Sequence, residues 1–293
     1  MIENRETDAT RALVAEMASR LTAVRGVRAV ALGGSRARGT HRPDSDWDLG
    51  LYYRGEPDVP ALTALAEEFT GGPVEVAGPG GWGPWVDGGA WLRVGGVAVD
   101  WILRDLDRVE AVWAACVEGR YEVGVQAGHP LGFWSPVYAG EVALGRVLAD
   151  PFGELAPLRQ QTLTYPPALR AALVHASWEA EFLLAAARKD PDDPLYASLC
   201  VSRALGILAQ SMHAHHRAWL LNEKGALASA ARLPVAPDDF SPRVARALAG
   251  PGREALDAAA ELVAEVRARL EAERHGPRPG HGEPAKNPGP AGD

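Results

Sequence analysis

Apolar residues recur along the first part of the chain at spacings that predict alternating helices and strands. A polar residue, Thr7 or Asp8, is a capping candidate for the first helix, and Gly26 follows that helix as its end. The predicted elements are a helix over 8–24, strands over 27–32 and 46–53, and a helix over 58–70.

A glycine pair divides two later apolar runs. AWLRV and VAVDWIL flank Gly95-Gly96, a two-residue hairpin signal, and therefore predict two antiparallel strands. VEVA at 74–77 is also strand-like, a glycine- and tryptophan-rich loop at 78–89 follows it, and 105–117 has a helical pattern. The first part of the chain is thus predicted to be a small mixed α/β unit.

Strand signals vanish after about residue 135. The predicted helices cover 141–149, 154–163, 167–189, 194–223 and 252–273. The predicted fold class is α+β, with an N-terminal domain at 1–130 built on a mixed β-sheet and an all-helical domain at 131–274. Residues 275–293 are rich in proline and glycine and have almost nothing apolar to bury, so they are predicted to be disordered.

Charge and cysteine content exclude several classes of protein. With 30 Lys+Arg against 38 Asp+Glu, the net charge of -8 disfavours broad binding to nucleic acid. Cys116 and Cys200 have no neighbouring cysteine, so no disulfide framework or zinc-ligand spacing is expected, as suits a reducing cytosol. The polar first residues are not expected to be a secretory signal, and no membrane span is expected. We expect a cytoplasmic protein.

Two acids alternate at the start of the second predicted strand. In a strand, Asp46 and Asp48 share a face and Trp47 points to the other. Two neighbouring carboxylates raise each other's pKa, and a cation between them removes that cost. Hard oxygen ligands at this spacing are typical of Mg²⁺, which takes one or two carboxylates together with substrate phosphates.

The segment before these acids is suited to phosphate. Gly33 and Gly34 lack a Cβ and allow the backbone to approach a ligand closely, and Ser35 adds a hydroxyl donor. Arg36 and Arg38 supply positive charge, and Arg38 is the preferred nucleotide-binding candidate. Salt-bridge partnership is the alternative for both arginines.

A third acid lies in an otherwise apolar run. Asp100 interrupts VAVDWIL, where an unpaired carboxylate is costly. If its strand lies beside that of Asp46 and Asp48, three carboxylates converge, and two metals could clamp the attacking and leaving oxygens of a phosphoryl transfer. The alternative is an ion pair between Asp100 and an arginine such as Arg93 or Arg104.

This pattern resembles the DNA polymerase β-type nucleotidyltransferase superfamily, and the form GSRARGT…SDWDL is closest to its small bacterial members, such as the aminoglycoside nucleotidyltransferases. The resemblance implies an N-terminal catalytic domain followed by a helical, acceptor-binding domain. It also implies roles for single residues: phosphate binding for Gly34, Ser35 and Ser45, and metal binding and catalysis for Asp46, Asp48 and Asp100.

The implied reaction moves a nucleoside monophosphate, most simply AMP from ATP, onto a hydroxyl, with Mg²⁺ in a two-metal site. The implied partners are a nucleoside triphosphate and a small-molecule acceptor. Related two-domain enzymes use a basic residue of the helical domain on the triphosphate, so Lys224 is a candidate for nucleotide binding; its alternative is a cation at a helix C-terminus. A protein- or RNA-directed adenylyltransferase and a non-catalytic nucleotide-binding regulator remain alternative functions.

Other candidates carry weaker signals. A zinc site at His213, His215 and His216 lacks a visible further ligand, and a structural role is favoured. Glu179 and Glu181 are candidates for contact with a cationic acceptor or are a solvated helix face. Trp82 and Trp85 belong either to a flexible lid that stacks on a ligand or to a plain hairpin loop.

Overall fold

The computed structural model describes residues 2–250 and 252–274. Within these residues the strands, numbered in chain order, are β1 (Val27–Leu32), β2 (Trp47–Tyr53), β3 (Gly89–Val94), β4 (Val97–Asp105), β5 (Val123–Gln126), β6 (His129–Trp134) and β7 (Arg146–Ala149). The helices are α1 (Ile2–Leu21), α2 (Gly34–Ala37), α3 (Val59–Thr70), α4 (Leu106–Val117), α5 (Val137–Leu144), α6 (Leu155–Thr162), α7 (Pro167–His175), α8 (Trp178–Ala187), α9 (Pro194–His215), α10 (Ala226–Ala230), α11 (Phe240–Ala247) and α12 (Arg253–Arg274).

Five strands form one mixed sheet in the order β3-β4-β2-β1-β7. The β2/β4 pair is parallel, and the other neighbouring pairs are antiparallel. Alternate residues of these strands, such as Leu49, Leu51 and Trp101, are buried in a core with residues of α1 and α3. The opposite face of the sheet is therefore available to line a cleft and to face the second half of the chain.

The second half builds another core around α9, which packs against α7, α8, α10 and α12. Asp193 caps α9 by accepting a hydrogen bond from the Tyr196 amide at 3.0 Å, and Pro194 occupies the first turn, where its missing N–H costs nothing. By length and hydropathy α9 would reach across a membrane, contrary to expectation, but 56% of its most apolar stretch is buried inside this fold. The apolar surface of α9 thus serves the core.

The α+β class and the early elements are confirmed, with small shifts at their ends. The first helix begins at Ile2, and of the predicted strand at 74–77 only Ala77 pairs, with Gly89. Asp58 caps α3, and Gly71, at a φ of 75°, ends it in the left-handed conformation that glycine adopts at low cost. The predicted tail at 275–293 lies outside the described residues.

The prediction that no strand follows residue 135 is wrong, because β7 does. The hairpin of β5 and β6, which comes before that residue, was not predicted. Residues 123–126 and 129–134 form the separate pair β5/β6. The helix predicted at 141–149 is instead α5, which ends at Leu144, followed by β7, which pairs antiparallel with β1. The chain therefore returns to the first sheet beyond the predicted boundary at residue 130; the division into two domains stays a prediction.

Two of the later helices are also shorter than predicted. The helix predicted at 167–189 is broken at Ala176-Ser177, where the Ser177 hydroxyl donates to the Val174 carbonyl at 2.8 Å. The helix predicted at 194–223 ends at His215, and Arg217 has a positive φ of 54°. Residues 218–225 consequently form an irregular segment, which lies beside the sheet.

Candidate active site

A cleft of about 680 Å³ lies between the open face of the large sheet and the segment that follows α9. The sheet contributes Asp48, Gly50 and Tyr52 from β2 and Ile102 and Arg104 from β4. The other residues in its lining that were predicted from the sequence are Gly34, Ser35, Arg38, Ser45, Asp46 and Lys224. Residues from both halves of the chain therefore meet at one site.

The strand register brings the predicted acids together. Asp48 is paired with Asp100 across the parallel β2/β4 ladder, and Asp46 lies just before β2. Trp47, between Asp46 and Asp48 in the sequence, is buried on the opposite face of the sheet and is 4% exposed. Paired residues of a ladder share a face and are separated by roughly 5 Å, so Asp100 extends the acidic row by one strand beyond the cleft lining.

Burial and mutual repulsion leave this row with uncompensated negative charge. The pKa of Asp48 is raised, first by burial and then by the charges of Asp46 and Glu141. Burial, followed by the charges of Asp48 and Asp46, raises the pKa of Asp100 to about 6. Both shifts have the sign that a nearby cation would reverse.

Asp100 does not form the ion pairs considered as alternatives. Arg93 donates to the Gly96 carbonyl at 3.0 Å, and Arg104 pairs with Glu141. Among the described residues, no arginine or lysine makes an ion pair with Asp100. The alternative explanation, an ion pair between Asp100 and Arg93 or Arg104, is therefore not supported.

A stability measurement distinguishes a partly buried Asp100 with a raised pKa from an ordinary surface acid. In the folded state Asp100 keeps its proton up to about pH 6, whereas in the unfolded chain it loses the proton near 3.8. Its favourable contribution is therefore complete below pH 4 and is lost as the pH rises through 6. After discounting for solvent screening, Asp100→Asn is expected to stabilise the fold by roughly 1 kcal/mol at pH 7.

Thermal midpoints measured from pH 4 to pH 8 check this expectation. The difference between Asp100→Asn and the wild type should be near zero at pH 4, grow through pH 6 and then level off. Asp192→Asn, in the exposed turn between α8 and α9, is the matched control and should show no such rise. A pH-independent difference for Asp100→Asn would contradict the assignment.

Gly34 is required by the closeness of the Asp48 carboxylate. Its φ is +60°, and a Cβ built there would overlap Asp48 Oδ2 and lie 2.7 Å from Cγ. The Gly33 amide donates to the Asp48 carbonyl at 2.8 Å, which fixes the loop against β2. The close approach predicted for the glycines is therefore an approach to the acid itself.

Gly34→Ala is expected to reduce activity by roughly 100-fold, because displacing a catalytic group by about 1 Å costs that much. Gly39→Ala is a matched control: its φ is +69°, but no atom lies within 4 Å of a built Cβ. It carries similar backbone strain, about 1–2 kcal/mol, without the collision. Steady-state kinetics of both variants should show a large loss at position 34 alone; equal losses would assign the effect to strain.

The two arginines of the loop have different environments. Arg36 Nε donates to the carbonyls of Ser45 and Asp46 at 2.9 and 3.1 Å, and its guanidinium lies over the Trp47 ring at 4.5 Å. Arg36 therefore fixes the loop that leads into β2. Arg38, exposed and in the cleft lining, bonds only to the Gly34 carbonyl at 3.1 Å among the described contacts, so its remaining donors face the cleft.

Ser45 and Lys224 line the same cleft from opposite sides. The Ser45 hydroxyl accepts a hydrogen bond from the Arg42 amide at 2.9 Å, which shapes the loop. Lys224 belongs to the irregular segment after α9 and is exposed, so the alternative role as a cation at a helix C-terminus is wrong. Lys224 is part of the same lining as Asp46 and Asp48.

Sequence reasoning missed a buried ion pair at the floor of the cleft. Arg104, 4% exposed, binds Glu141 of α5 in a two-pronged contact, with N–O distances of 2.6 and 2.8 Å. Arg104 also donates to the Leu103 carbonyl. The available signal was an arginine at the end of an apolar strand, which requires a buried acid somewhere in the chain.

The weaker candidates lie away from the cleft. His213 contacts the Ala209 carbonyl and the Ser229 hydroxyl, and His216 accepts from the Val235 amide, as structural residues do. Glu179 pairs with Arg203 at 2.7 Å, and Glu181 pairs with Arg267. Neither acid lines the cleft, so the acceptor-contact hypothesis for them finds no support.

The tryptophan-rich loop is held at several points. Gln126 accepts hydrogen bonds from the Trp85 and Val86 amides and donates to the Trp82 carbonyl at 2.8 Å. The Tyr138 hydroxyl donates to the Trp85 carbonyl at 2.6 Å. These contacts favour a fixed loop over a flexible lid.

The residues present fit a divalent cation only together with a bound substrate. Over 2–250 and 252–274, no group of three His, Cys, Asp or Glu side chains is arranged to hold a metal ion. Mg²⁺ commonly uses one or two carboxylates and completes its shell with phosphate oxygens and water. Asp46 and Asp48 meet that smaller requirement, and a cation bound to them would oppose the burial and the neighbouring charges that raise the pKa of Asp48.

Comparison with known proteins agrees with this geometry. Residues 12–76 match the family model described as a nucleotidyltransferase domain, a range that contains Gly34, Ser35, Asp46 and Asp48. A solved structure described as a nucleotidyltransferase-like protein from Exiguobacterium sibiricum is 13% identical, with a TM-score of 0.41, and the alignment covers 94% of this chain and 76% of that one. Comparison with curated proteins gave no match. The match over residues 12–76 alone carries this comparison, and it supports a transferase with a nucleotidyltransferase-type domain.

Proposed function

We propose that the protein transfers a nucleoside monophosphate, most simply AMP from ATP, to a hydroxyl group of a small-molecule acceptor and releases pyrophosphate. The observation that carries the proposal is the meeting of the acids Asp46 and Asp48 with Arg38 and Lys224 in one cleft. Acidic and cationic side chains in one cleft suit a metal–triphosphate complex, in which both signs of charge are present.

The phosphates would lie against the loop that begins at Gly34. Ser35 and Ser45 supply hydroxyls there, and Arg38 and Lys224 supply charge from two sides of the cleft. Mg²⁺ would be held by Asp46 and Asp48 together with phosphate oxygens. When bound, the metal would neutralise charge that develops on the transferring phosphoryl group.

The transfer step is an in-line displacement at the α-phosphorus. The acceptor oxygen forms a new bond to that phosphorus, the bond from it to the bridging oxygen of the β-phosphate breaks, and pyrophosphate leaves. The proton of the acceptor hydroxyl passes to the Asp100 carboxylate, whose pKa of about 6 allows it to be ionised at neutral pH.

The acceptor is the least specified part of the proposal. The net charge of -8 favours a small or cationic acceptor over a polynucleotide. We also propose that the protein is related to the aminoglycoside nucleotidyltransferases, because its GSRARGT…SDWDL segment resembles theirs.

Transfer from ATP labelled with ³²P at the α-phosphate tests the function. The wild-type protein is incubated with Mg²⁺ and a cell extract that has been separated by size, with a chelator in a parallel reaction. We expect label in the small-molecule fraction that is abolished by the chelator. Label on protein or RNA would move the function to a macromolecular acceptor, and no metal-dependent transfer from any of the four nucleotides would favour a nucleotide-binding regulator.

A further inference from the structure

Two tryptophans continue the acidic row toward the edge of the sheet. Trp91 of β3 is paired with Asp100 across the antiparallel β3/β4 ladder, as Asp100 is paired with Asp48 across β2/β4. Directly paired residues point to the same face, roughly 5 Å apart. Trp91, Asp100 and Asp48 therefore form one row on the face that carries the cleft.

The Trp91 indole is at once exposed and held in place. Its side chain is 69% exposed, the highest value among the tryptophans of the described residues. One face of the ring stacks on Trp82, with centroids 4.3 Å apart and planes 13° from parallel. The Trp91 indole therefore offers an open aromatic surface whose orientation is fixed by an aromatic neighbour.

Gly89 makes room for this arrangement. A Cβ built at Gly89 would lie 3.0 Å from the Trp82 ring and would overlap the Trp101 carbonyl. Gly89 is paired with Ile102, which lines the cleft. Trp82 thus lies on the sheet next to the cleft lining, and Trp82 and Trp91 together form a tryptophan wall at that end.

The wall and the cationic residues lie on opposite sides of the acids. Arg38 and Lys224 line the cleft around Asp46 and Asp48, whereas Asp100 separates Asp48 from Trp91. A triphosphate is attracted to the cationic side. The acceptor, whose hydroxyl must reach Asp100, therefore binds on the other side of the acids, where the tryptophan wall lies.

We propose that the tryptophan wall binds the acceptor, and that the acceptor is a ring-bearing hydroxyl compound whose flat face stacks on Trp91 while its hydroxyl lies over Asp100. Both a sugar ring and an aromatic ring offer such a face. This inference rests on the proposed transferase function and adds the class of acceptor to it.

The test compares substrate dependence in Trp91 variants. The full-length protein is assayed with labelled ATP and with the small-molecule fraction of a cell extract as acceptor, each varied in turn. For Trp91→Ala we expect the half-saturating amount of extract to rise roughly five- to tenfold, as loss of a stacking contact predicts. The KM for ATP should stay within twofold, and Trp91→Phe should recover most of the loss.

Trp178→Ala is the matched control, because Trp178 is 50% exposed but belongs to α8, not to the sheet that carries the acidic row. It should behave as the wild type. The labelled product is identified by mass spectrometry, which distinguishes a sugar ring from an aromatic ring.

Each remaining outcome counts against the proposal. Unchanged acceptor dependence in Trp91→Ala, or a product without a ring, would overturn the wall while leaving the transferase intact. A rise in the KM for ATP alone would place the nucleobase on the wall instead. Absence of label with the wild type would overturn the transfer and the wall together.

Discussion

Asp48→Asn is expected to lower the rate of nucleotide transfer roughly a thousandfold or more while the protein stays folded. Asp48 lies at the centre of the site, between Asp46 and Asp100 and against Gly34. In the proposed mechanism Asp48 holds the metal, so its loss removes several kcal/mol of charge stabilisation at the transferring phosphoryl group, and about 4 kcal/mol corresponds to a thousandfold.

The same substitution should leave the thermal midpoint unchanged or raise it. Burial and neighbouring negative charges raise the pKa of Asp48, so a neutral side chain of the same shape relieves repulsion. Initial rates of pyrophosphate release, measured beside thermal unfolding, check both parts. Asp192→Asn, which removes an exposed carboxylate far from the cleft, should change neither rate nor midpoint. A variant at position 48 that is folded and retains near wild-type transfer would refute the proposed function.

Glu141→Ala is expected to destabilise the protein by about 3–5 kcal/mol. The substitution leaves the Arg104 guanidinium, whose side chain is 5% exposed, without its carboxylate partner inside the fold. Removing one member of a buried pair costs this much because the other charge remains desolvated. Unfolding in urea, followed by circular dichroism, measures the change.

Two further variants separate burial from charge. Glu118→Ala breaks the pair with Arg120, whose side chains are 62% and 67% exposed, and should cost less than about 1 kcal/mol. Replacing both members of the buried pair, Arg104→Met with Glu141→Leu, should recover much of the stability that Glu141→Ala loses. A small effect of Glu141→Ala would show that water reaches Arg104 in solution.

The acidic row could be predicted from sequence because its signal is local. Asp46, Trp47 and Asp48 alternate within a strand, and Asp100 interrupts an apolar run, so each residue reports its face directly. That the strands of Asp48 and Asp100 are neighbours was only a condition of the prediction, and the β2/β4 ladder fulfils it. The loop at Gly34 was recognisable for the same reason, since glycines and a serine stand between two apolar runs.

Other parts depend on pairings that no local pattern contains. The four residues of β7 resemble the end of an apolar helix, and they become a strand only because β1, more than a hundred residues earlier, offers an edge. The role of Glu141 depends on its ion pair with Arg104, and the role of Trp91 depends on its pairing with Asp100. Lys224 reaches the cleft because α9 ends at His215, an end that the helical pattern did not mark.

The return of the chain through β7 has a consequence for how the protein can be divided. If the chain were cut after residue 130, β1 would keep β2 but lose β7, and the backbone groups of Val30, Ala31 and Leu32 would become an open sheet edge. Open apolar edges are templates for pairing with other chains and hence for aggregation. The first 130 residues are therefore not a detachable module, because β7, the edge strand of their sheet, comes from the chain beyond the cut.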